Sequence, residues 1–144
     1  MCAVIGFDDR EMLNLILMDR YIISYEPYNF KGYLTDYPLT LTYGKKIDAL
    51  RRKYKSYLWD AEFRDTLGAT VTADGTVRHT VFIASNGKRA VVVVNQELTK
   101  AITATVDLPH PGTLVVATPE QPDAVPTTGT LQIPPRSAAV VMEQ

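Results

Sequence analysis

Glu26 is the carboxylate with the most suggestive setting in this 144-residue chain. It ends the β-branched and aromatic run Tyr21–Glu26 and is followed by Pro27 and a loop rich in rings. In parallel α/β folds, the loops at the carboxyl ends of strands converge on the ligand site. A glutamate there can hold a sugar hydroxyl or act as a general acid. It can also pair with Arg20 or Lys31 as an ordinary surface residue.

Sugar hydrolysis normally needs a second carboxylate at a defined distance from the first. Five further acidic residues are candidates by type alone, and no spacing singles one of them out. They are Asp19, Asp36, Asp60, Glu62 and Asp65. The sequence therefore predicts no complete acid/base pair, and no catalytic residue is assigned.

The aromatic residues crowd into the same front part of the chain. Twelve of the thirteen precede position 64, and only Phe82 lies beyond. Such rings bury area and also stack on flat ligands such as sugars. The predicted substrate-binding residues are Tyr25, Glu26, Tyr28, Phe30 and Tyr33. Alternatively, these four rings and Tyr37 form the stacking platform of a non-catalytic carbohydrate-binding module.

Other kinds of chemistry find little support. His79 and His110 are 31 residues apart with no ligand cluster nearby, so no metal and no cofactor is predicted. Nucleophile elbows and glycine-rich phosphate loops are also missing from the sequence. The basic cluster within residues 45–55 is typical of the solvated face of a helix. Nucleic-acid binding through that helix is the less favoured alternative.

Composition describes an ordinary globular protein with a formal net charge of −1 and 46% hydrophobic residues. Neither half has the overall charge of a nucleic-acid binder. A single cysteine, Cys2, rules out an internal disulfide. No apolar run is long enough for a membrane span or a signal-peptide core, so no membrane partner is expected and the compartment stays open.

The first 66 residues predict a helix, a strand, a loop and a second helix. Asp8, with Glu11 three positions on, has the pattern of a helix start. The run Tyr21–Glu26 predicts a strand buried on both faces, as in a parallel sheet. Residues 28–39 predict an ordered loop, and an apolar stripe predicts a helix over residues 42–59. Trp59 and Phe63 are expected to be buried at the junction with the second half.

Residues 67–144 predict an antiparallel β-sandwich of about seven strands, which makes the fold class α+β. The period of the apolar pattern changes to two after Gly68, and short turns separate the predicted strands. Asp74-Gly75 predicts a tight hairpin between the first two of them. Val91–Val94 predicts a central strand. The two expected domains are therefore residues 1–66 and 67–144.

Three stretches carry a resemblance to a known class of enzyme. Residues 19–27, 43–54 and 57–60 resemble the closing segment of a (β/α)8-barrel glycoside hydrolase of the α-galactosidase-like or a related type. In such enzymes the last barrel strand and helix lead into an antiparallel β-sandwich, which residues 88–95 and 135–142 resemble. The resemblance implies a last barrel unit with a C-terminal sandwich domain, and it places Glu26 and its neighbouring rings at the barrel mouth.

A whole barrel takes about 250 residues, so the resemblance covers at most its last unit. The catalytic carboxylates of such an enzyme would lie on earlier strands. The chain is therefore expected to be the C-terminal fragment, or an orphan remnant, of a carbohydrate-active protein. Its expected role is structural, with an apolar face covered by a missing barrel domain or by a second copy in a homo-oligomer.

Overall fold

A computed structural model describes residues 3–5, 8–27, 31–109 and 111–144, with the backbone alone for residues 3–5, 26 and 27. The helices are α1 (Arg10–Met18), α2 (Pro38–Lys53) and α3 (Lys55–Leu58), and a 3-10 turn covers Leu34–Asp36. The strands are β1 (Ala3–Ile5), β2 (Tyr25–Pro27), β3 (Glu62–Phe63), β4 (Thr70–Ala73), β5 (Val77–Ile83), β6 (Arg89–Asn95), β7 (Ile102–Asp107), β8 (Leu114–Ala117), β9 (Val125–Thr127), β10 (Thr130–Ile133) and β11 (Ala138–Glu143).

Two antiparallel sheets form the sandwich. The larger has the strand order β3-β5-β6-β11-β8-β9, and the smaller has the order β10-β7-β4. The predicted α+β class with a β-sandwich is confirmed. The described residues contain nine strands in these two sheets rather than about seven, because β3 and β9 are short edge strands without a clear sequence pattern.

The larger sheet is buried on both faces, which explains its runs of valine. Along β6, Val91 and Val93 pack into the core between the two sheets. Val92 and Val94 alternate with them and pack against the helices on the opposite face. Because successive side chains of a strand point to opposite faces, only a strand covered on both sides can bury four consecutive valines. Val91–Val94 is therefore the central strand that the sequence predicted.

The helices form a third layer on this sheet. Leu13 and Leu17 of α1 and Ile47 and Leu50 of α2 are completely buried. They belong to the same apolar cluster as Phe82 of β5 and the helix-facing side chains of β6, β8 and β11. The front residues therefore form a core together with the sandwich. The sandwich supplies its other half.

Polar contacts also join the helix layer to the sandwich. The Thr80 hydroxyl donates to the Met18 carbonyl at 2.7 Å. The Tyr57 hydroxyl donates to the carbonyl of Glu143 in β11 at 2.5 Å. The Tyr54 hydroxyl donates to the Pro122 carbonyl at 2.8 Å. Tyrosine suits this boundary because its ring packs in the core while its hydroxyl reaches a backbone partner. The domain boundary between residues 66 and 67 stays a prediction.

The expected helix cap at Asp8 is wrong. Helix α1 begins at Arg10, and its N-cap residue Asp9 makes no side-chain capping bond. Asp8 and Glu11 instead bind the Arg136 guanidinium, with an Asp8 Oδ2 to Arg136 Nη1 distance of 2.8 Å. A guanidinium can bond two carboxylates at once, and here that competes successfully with the local cap.

The predicted strand Tyr21–Glu26 is shorter than expected, because only Tyr25–Pro27 is extended into a strand. It pairs in parallel with β1, so a β-α-β unit is present. Tyr21 and Ile22 are 39% and 70% exposed, which rules out a strand buried on both faces at these positions. The chain turns at Arg20, which has a φ of 57° and lies directly before the run.

The predicted helix over residues 42–59 is two helices. Helix α2 starts earlier, at Pro38, where a missing N–H costs nothing because first-turn N–H groups have no helical partner. Tyr54 separates it from α3. The predicted stripe is nevertheless correct: Ile47, Leu50 and Leu58 are fully buried, and Tyr54 and Tyr57 pack against the same cluster.

The predicted Asp74-Gly75 hairpin is also wrong. Strand β4 pairs with β7 in the small sheet, whereas β5 pairs with β6 in the large one. Residues 74–76 therefore connect the two sheets, and the Asp74 carboxylate accepts a hydrogen bond from the Thr103 amide at 2.8 Å. A β-hairpin does occur at Gly87, which has a φ of 80° between β5 and β6.

Candidate ligand-binding groove

The structure describes only part of the predicted substrate-binding set. Tyr25 lies on β2, half-buried against the helix-layer core. Tyr33 is 77% exposed, and its amide donates to the Asp36 carboxylate at 2.8 Å. Tyr28 and Phe30 lie outside the described residues, as does the side chain of Glu26. Whether these five residues form one site therefore stays a prediction.

Tyr25 packs into a notch that Gly44 leaves in helix α2. A Cβ placed on Gly44 would come within 1.8 Å of the Tyr25 hydroxyl and 2.8 Å of its ring carbon Cζ. Burial raises the pKa of the Tyr25 phenol, and the negative charge of Asp48 adds to the rise. The ring therefore packs β2 against α2. The edge that carries the hydroxyl is covered by the helix and is not available to a ligand.

We expect Gly44→Ala to lower the free energy of unfolding by about 1–3 kcal/mol, although alanine is the better helix former. The new methyl group displaces the Tyr25 ring, and that loss outweighs the gain in propensity. In a Tyr25→Ala background the same change becomes stabilising by about 1 kcal/mol. Urea unfolding of the four proteins measures this sign reversal. Additive effects would show that the ring does not occupy the notch.

A groove of about 400 Å³ lies beside the segment that precedes β2. Its apolar wall is formed by Ile22 and Ile23, just before β2, and by the Trp59 indole, just after α3. Trp59 is 41% exposed, and the Arg51 guanidinium carbon lies 5.7 Å from the centre of its ring. Phe63, which packs edge-on against Phe82 at 5.6 Å, is also partly exposed. The expected burial of Trp59 and Phe63 at the junction is therefore wrong.

The polar side of the groove is cationic. Arg51 and Arg52 from α2 and Lys55 from α3 line it, together with Asp48. Asp48 accepts from Arg52 Nε at 2.7 Å, and Lys55 Nζ lies 2.6 Å from an oxygen of Asp60. Arg51 makes no carboxylate pair among the described residues. The three lining cations thus face two carboxylates, and Arg20, which donates to the Trp59 carbonyl at 3.1 Å, adds a nearby cation without a carboxylate pair among the described residues.

Arg51 holds its charge in a mostly buried position. It is 5% exposed and donates to the carbonyl of Tyr21 at 2.6 Å and to that of Ile16. Its Nε is buried without a described partner. Burial lowers the pKa of the guanidinium to about 10, which keeps it charged at neutral pH. The arginine therefore anchors the segment before β2 and leaves a positive field at the groove.

Most other cations of the basic cluster are paired. Lys46 contacts Glu120 and Lys53 contacts Asp123, both on the sandwich. These pairs favour the interpretation of the helix as a solvated face that also touches the sandwich. The unpaired charge at Arg51 is not visible in sequence, because it depends on which carboxylates each cation meets. The groove was missed for the same reason.

Three of the other candidate carboxylates bond to neighbouring protein groups. Asp36 receives the Tyr33 amide, and Asp60 pairs with Lys55. Glu62 pairs with Arg64 at 2.9 Å. Asp19 lies in a second shallow groove on α1. Within the described ranges, no group of three or more His, Cys, Asp or Glu residues is arranged to hold a metal ion.

His79 lies on β5 and is partly buried, not fully solvated. Its Nε2 is buried without a hydrogen-bond partner in the part of the chain that is described. Burial lowers the pKa of this histidine, so the neutral form is favoured. It is a strand residue and lies apart from the groove. Of the helices described, none is long and apolar enough to cross a membrane.

Comparisons with known proteins show a remote structural relation. No protein-family model matches the chain. No curated protein matches it in sequence. Among solved structures, it is similar to a GH27 β-L-arabinopyranosidase from Geobacillus stearothermophilus, with a TM-score of 0.47 and 8% identity. The match covers 96% of this chain and 30% of that one. The relation to a glycoside hydrolase is thus structural and remote.

Proposed function

We propose that this chain is an association module of a carbohydrate-active protein and is not catalytic by itself. The observation that carries the association role is a set of large apolar side chains exposed before residue 40. They are Tyr21, Ile22, Tyr33, Leu34 and Leu39, which are between 38% and 77% exposed. They are half of the ten exposed large apolar side chains described, and apolar surface of this kind marks interaction sites when it is contiguous.

The architecture supports the same role. The parallel pair β1–β2 is a two-stranded sheet, whereas parallel sheets are normally larger and covered on both faces. Helices α1 and α2 use their apolar stripes against the sandwich, so the sandwich stabilises the unit that carries the exposed residues. The carbohydrate-active part of the proposal rests on the sequence resemblance of residues 19–27, 43–54 and 57–60.

Leu39 offers the cleanest test of association. It is 61% exposed in the first turn of α2, where an acidic residue is favourable because of the helix dipole. We expect the chain to form a dimer through this surface, and we expect Leu39→Asp to weaken the dimer at least about tenfold while the monomer stays folded. Sedimentation equilibrium over a range of concentrations measures the dissociation constant.

Leu98→Asp is the matched control, because Leu98 is 68% exposed and lies between β6 and β7 of the sandwich. It should leave the dissociation constant unchanged. A wild-type chain that stays monomeric at all concentrations would count against the association role. Equal weakening by both variants would show that the contact is general hydrophobic adhesion.

A non-catalytic carbohydrate-binding module is the second candidate. The observation in its favour is Tyr33, whose side chain is more exposed than any other large apolar side chain described, at 77%. Tyr25 counts against a platform that uses all five rings, because its ring fills the Gly44 notch. Binding of saccharide that Tyr33→Ala abolishes would favour this candidate.

A further inference from the structure

We propose that the groove between Trp59 and helix α2 binds a saccharide that carries a single carboxylate, such as a uronic acid residue. The saccharide part of this inference rests on the proposed function, whereas the anion part rests on the groove alone. The groove lies near the start of β2 and shares no residue with the Tyr25–Tyr33 set. It is therefore a site separate from the one predicted at the end of that strand.

The shape and the apolar wall suit one or two sugar rings. The volume of about 400 Å³ is at the lower end of the range for small-molecule sites. The partly exposed Trp59 indole provides a flat surface on which the C–H face of a sugar can stack. Ile22, which is 70% exposed, extends this wall and would be covered by the ligand.

The positive charge of the groove favours a negatively charged ligand. Two of its cations already have carboxylate partners, since Arg52 pairs with Asp48 and Lys55 with Asp60. The buried charge of Arg51 has none among the described residues. A carboxylate on the ligand would therefore offset the buried charge that has no carboxylate partner.

Lys55 is the side chain best placed to contact the carboxylate. It is exposed, lines the groove and can turn from Asp60 toward a ligand without uncovering the core. Arg51 contributes through its field rather than through contact, because its donors are buried. A charge-assisted hydrogen bond of this kind is worth about 1.5–3 kcal/mol, which corresponds to roughly tenfold in affinity or more.

Trp59 is the only tryptophan of the chain, so its fluorescence reports on this groove alone. We expect galacturonosyl-galactose, a disaccharide with one carboxylate, to change the emission in a saturable way, and 0.5 M NaCl to weaken the binding. Lys55→Gln should weaken binding about tenfold. Lys53→Gln, two positions away and paired with Asp123 on the sandwich, should not change it. Trp59→Ala removes both the stacking surface and the fluorescent reporter, so binding to this variant is measured by calorimetry. It should be lost.

Three comparison ligands separate the parts of the inference. Equal binding of a neutral galactose disaccharide would overturn the charge argument. If benzoate or uridine monophosphate bound and galacturonosyl-galactose did not, the saccharide assignment would be overturned and a carbohydrate-active role would lose support. No response to any ligand would overturn the groove as a site. The association role would be untouched by that result, because its own test is the sedimentation of Leu39→Asp.

Discussion

Replacing Leu17 by alanine is expected to lower the free energy of unfolding of the whole chain by about 3 kcal/mol. Leu17 is completely buried where α1 meets α2 and the large sheet, so the truncation leaves a cavity in the shared core. Folded domains have only about 5–15 kcal/mol of stability, so the loss is a large fraction. Urea unfolding followed by circular dichroism and by Trp59 fluorescence measures it.

The same experiment tests whether the helix layer and the sandwich depend on each other. Because they share one apolar cluster, both signals should move to lower urea together in the Leu17→Ala variant. Leu98→Ala, a truncation at an exposed site, should cost less than about 0.5 kcal/mol. If the helical signal alone shifted, while the sandwich unfolded at its original concentration, the shared core would be refuted.

Replacing Arg136 by glutamine is the second large change, with an expected loss of about 2 kcal/mol. Its guanidinium bonds both oxygens of Glu11 and both the carboxylate and the carbonyl of Asp8. Its own carbonyl accepts from the Asn14 amide at 3.0 Å. The side chain is three-quarters buried, so the pair is less screened than a surface pair. It fixes the start of α1 on the loop before β11.

The pH dependence of the loss identifies its cause. The hydrogen bond from Arg136 lowers the pKa of Glu11 in the folded protein. A carboxyl with a lowered folded pKa contributes stability that is complete above its unfolded value of about 4.3 and is lost as the pH falls through the folded pKa. The wild type should therefore lose more stability than Arg136→Gln between about pH 5 and pH 3.

Arg52→Gln serves as the control for this comparison. Its pair with Asp48 is exposed, and Arg52 itself is 79% exposed, so the change should leave the free energy of unfolding nearly unchanged. A loss in Arg136→Gln that is independent of pH would show that the packing of the side chain matters and the ion pair does not.

The sandwich could be predicted because its strands are short β-branched runs that turn residues separate. Val91–Val94 and Ala138–Met142 are buried on both faces of the large sheet, and a long β-branched run between turn residues has few other solutions. The aromatic imbalance also has a structural cause. The core between the two sheets contains Val, Ala, Leu and Ile, whereas Tyr43, Tyr54 and Tyr57 lie in or against the helix-layer core.

Other features depend on partners far away in the sequence. Asp74-Gly75 has the composition of a hairpin, yet Asp74 bonds Thr103 of β7, the strand that pairs with β4 in the small sheet. Asp8 and Glu11 have the spacing of a cap, yet Arg136 binds them from 125 or more residues away. Local propensities amount to about 1 kcal/mol, which tertiary hydrogen bonds to charged groups exceed.

The groove shows the same limit for function. The sequence singled out Trp59 and the basic helix, but it assigned the ring to the junction and the charges to solvent. Arg52 and Lys55 pair with carboxylates, and only this pairing reveals that Arg51, the third cation of the groove, has no carboxylate partner among the described residues. The sequence instead predicted a site around Glu26, because a strand end followed by aromatic residues is a local pattern that can be recognised without the fold.

Hydrogen–deuterium exchange at several protein concentrations tests the association role most directly, because it locates the contact. If the front residues associate, amides of residues 34–41 should become more protected as the concentration rises, and amides of residues 97–100 around Leu98 should not. Leu39→Asp should abolish the concentration dependence. Exchange that is independent of concentration, or protection that rises only on the sandwich, would contradict the account.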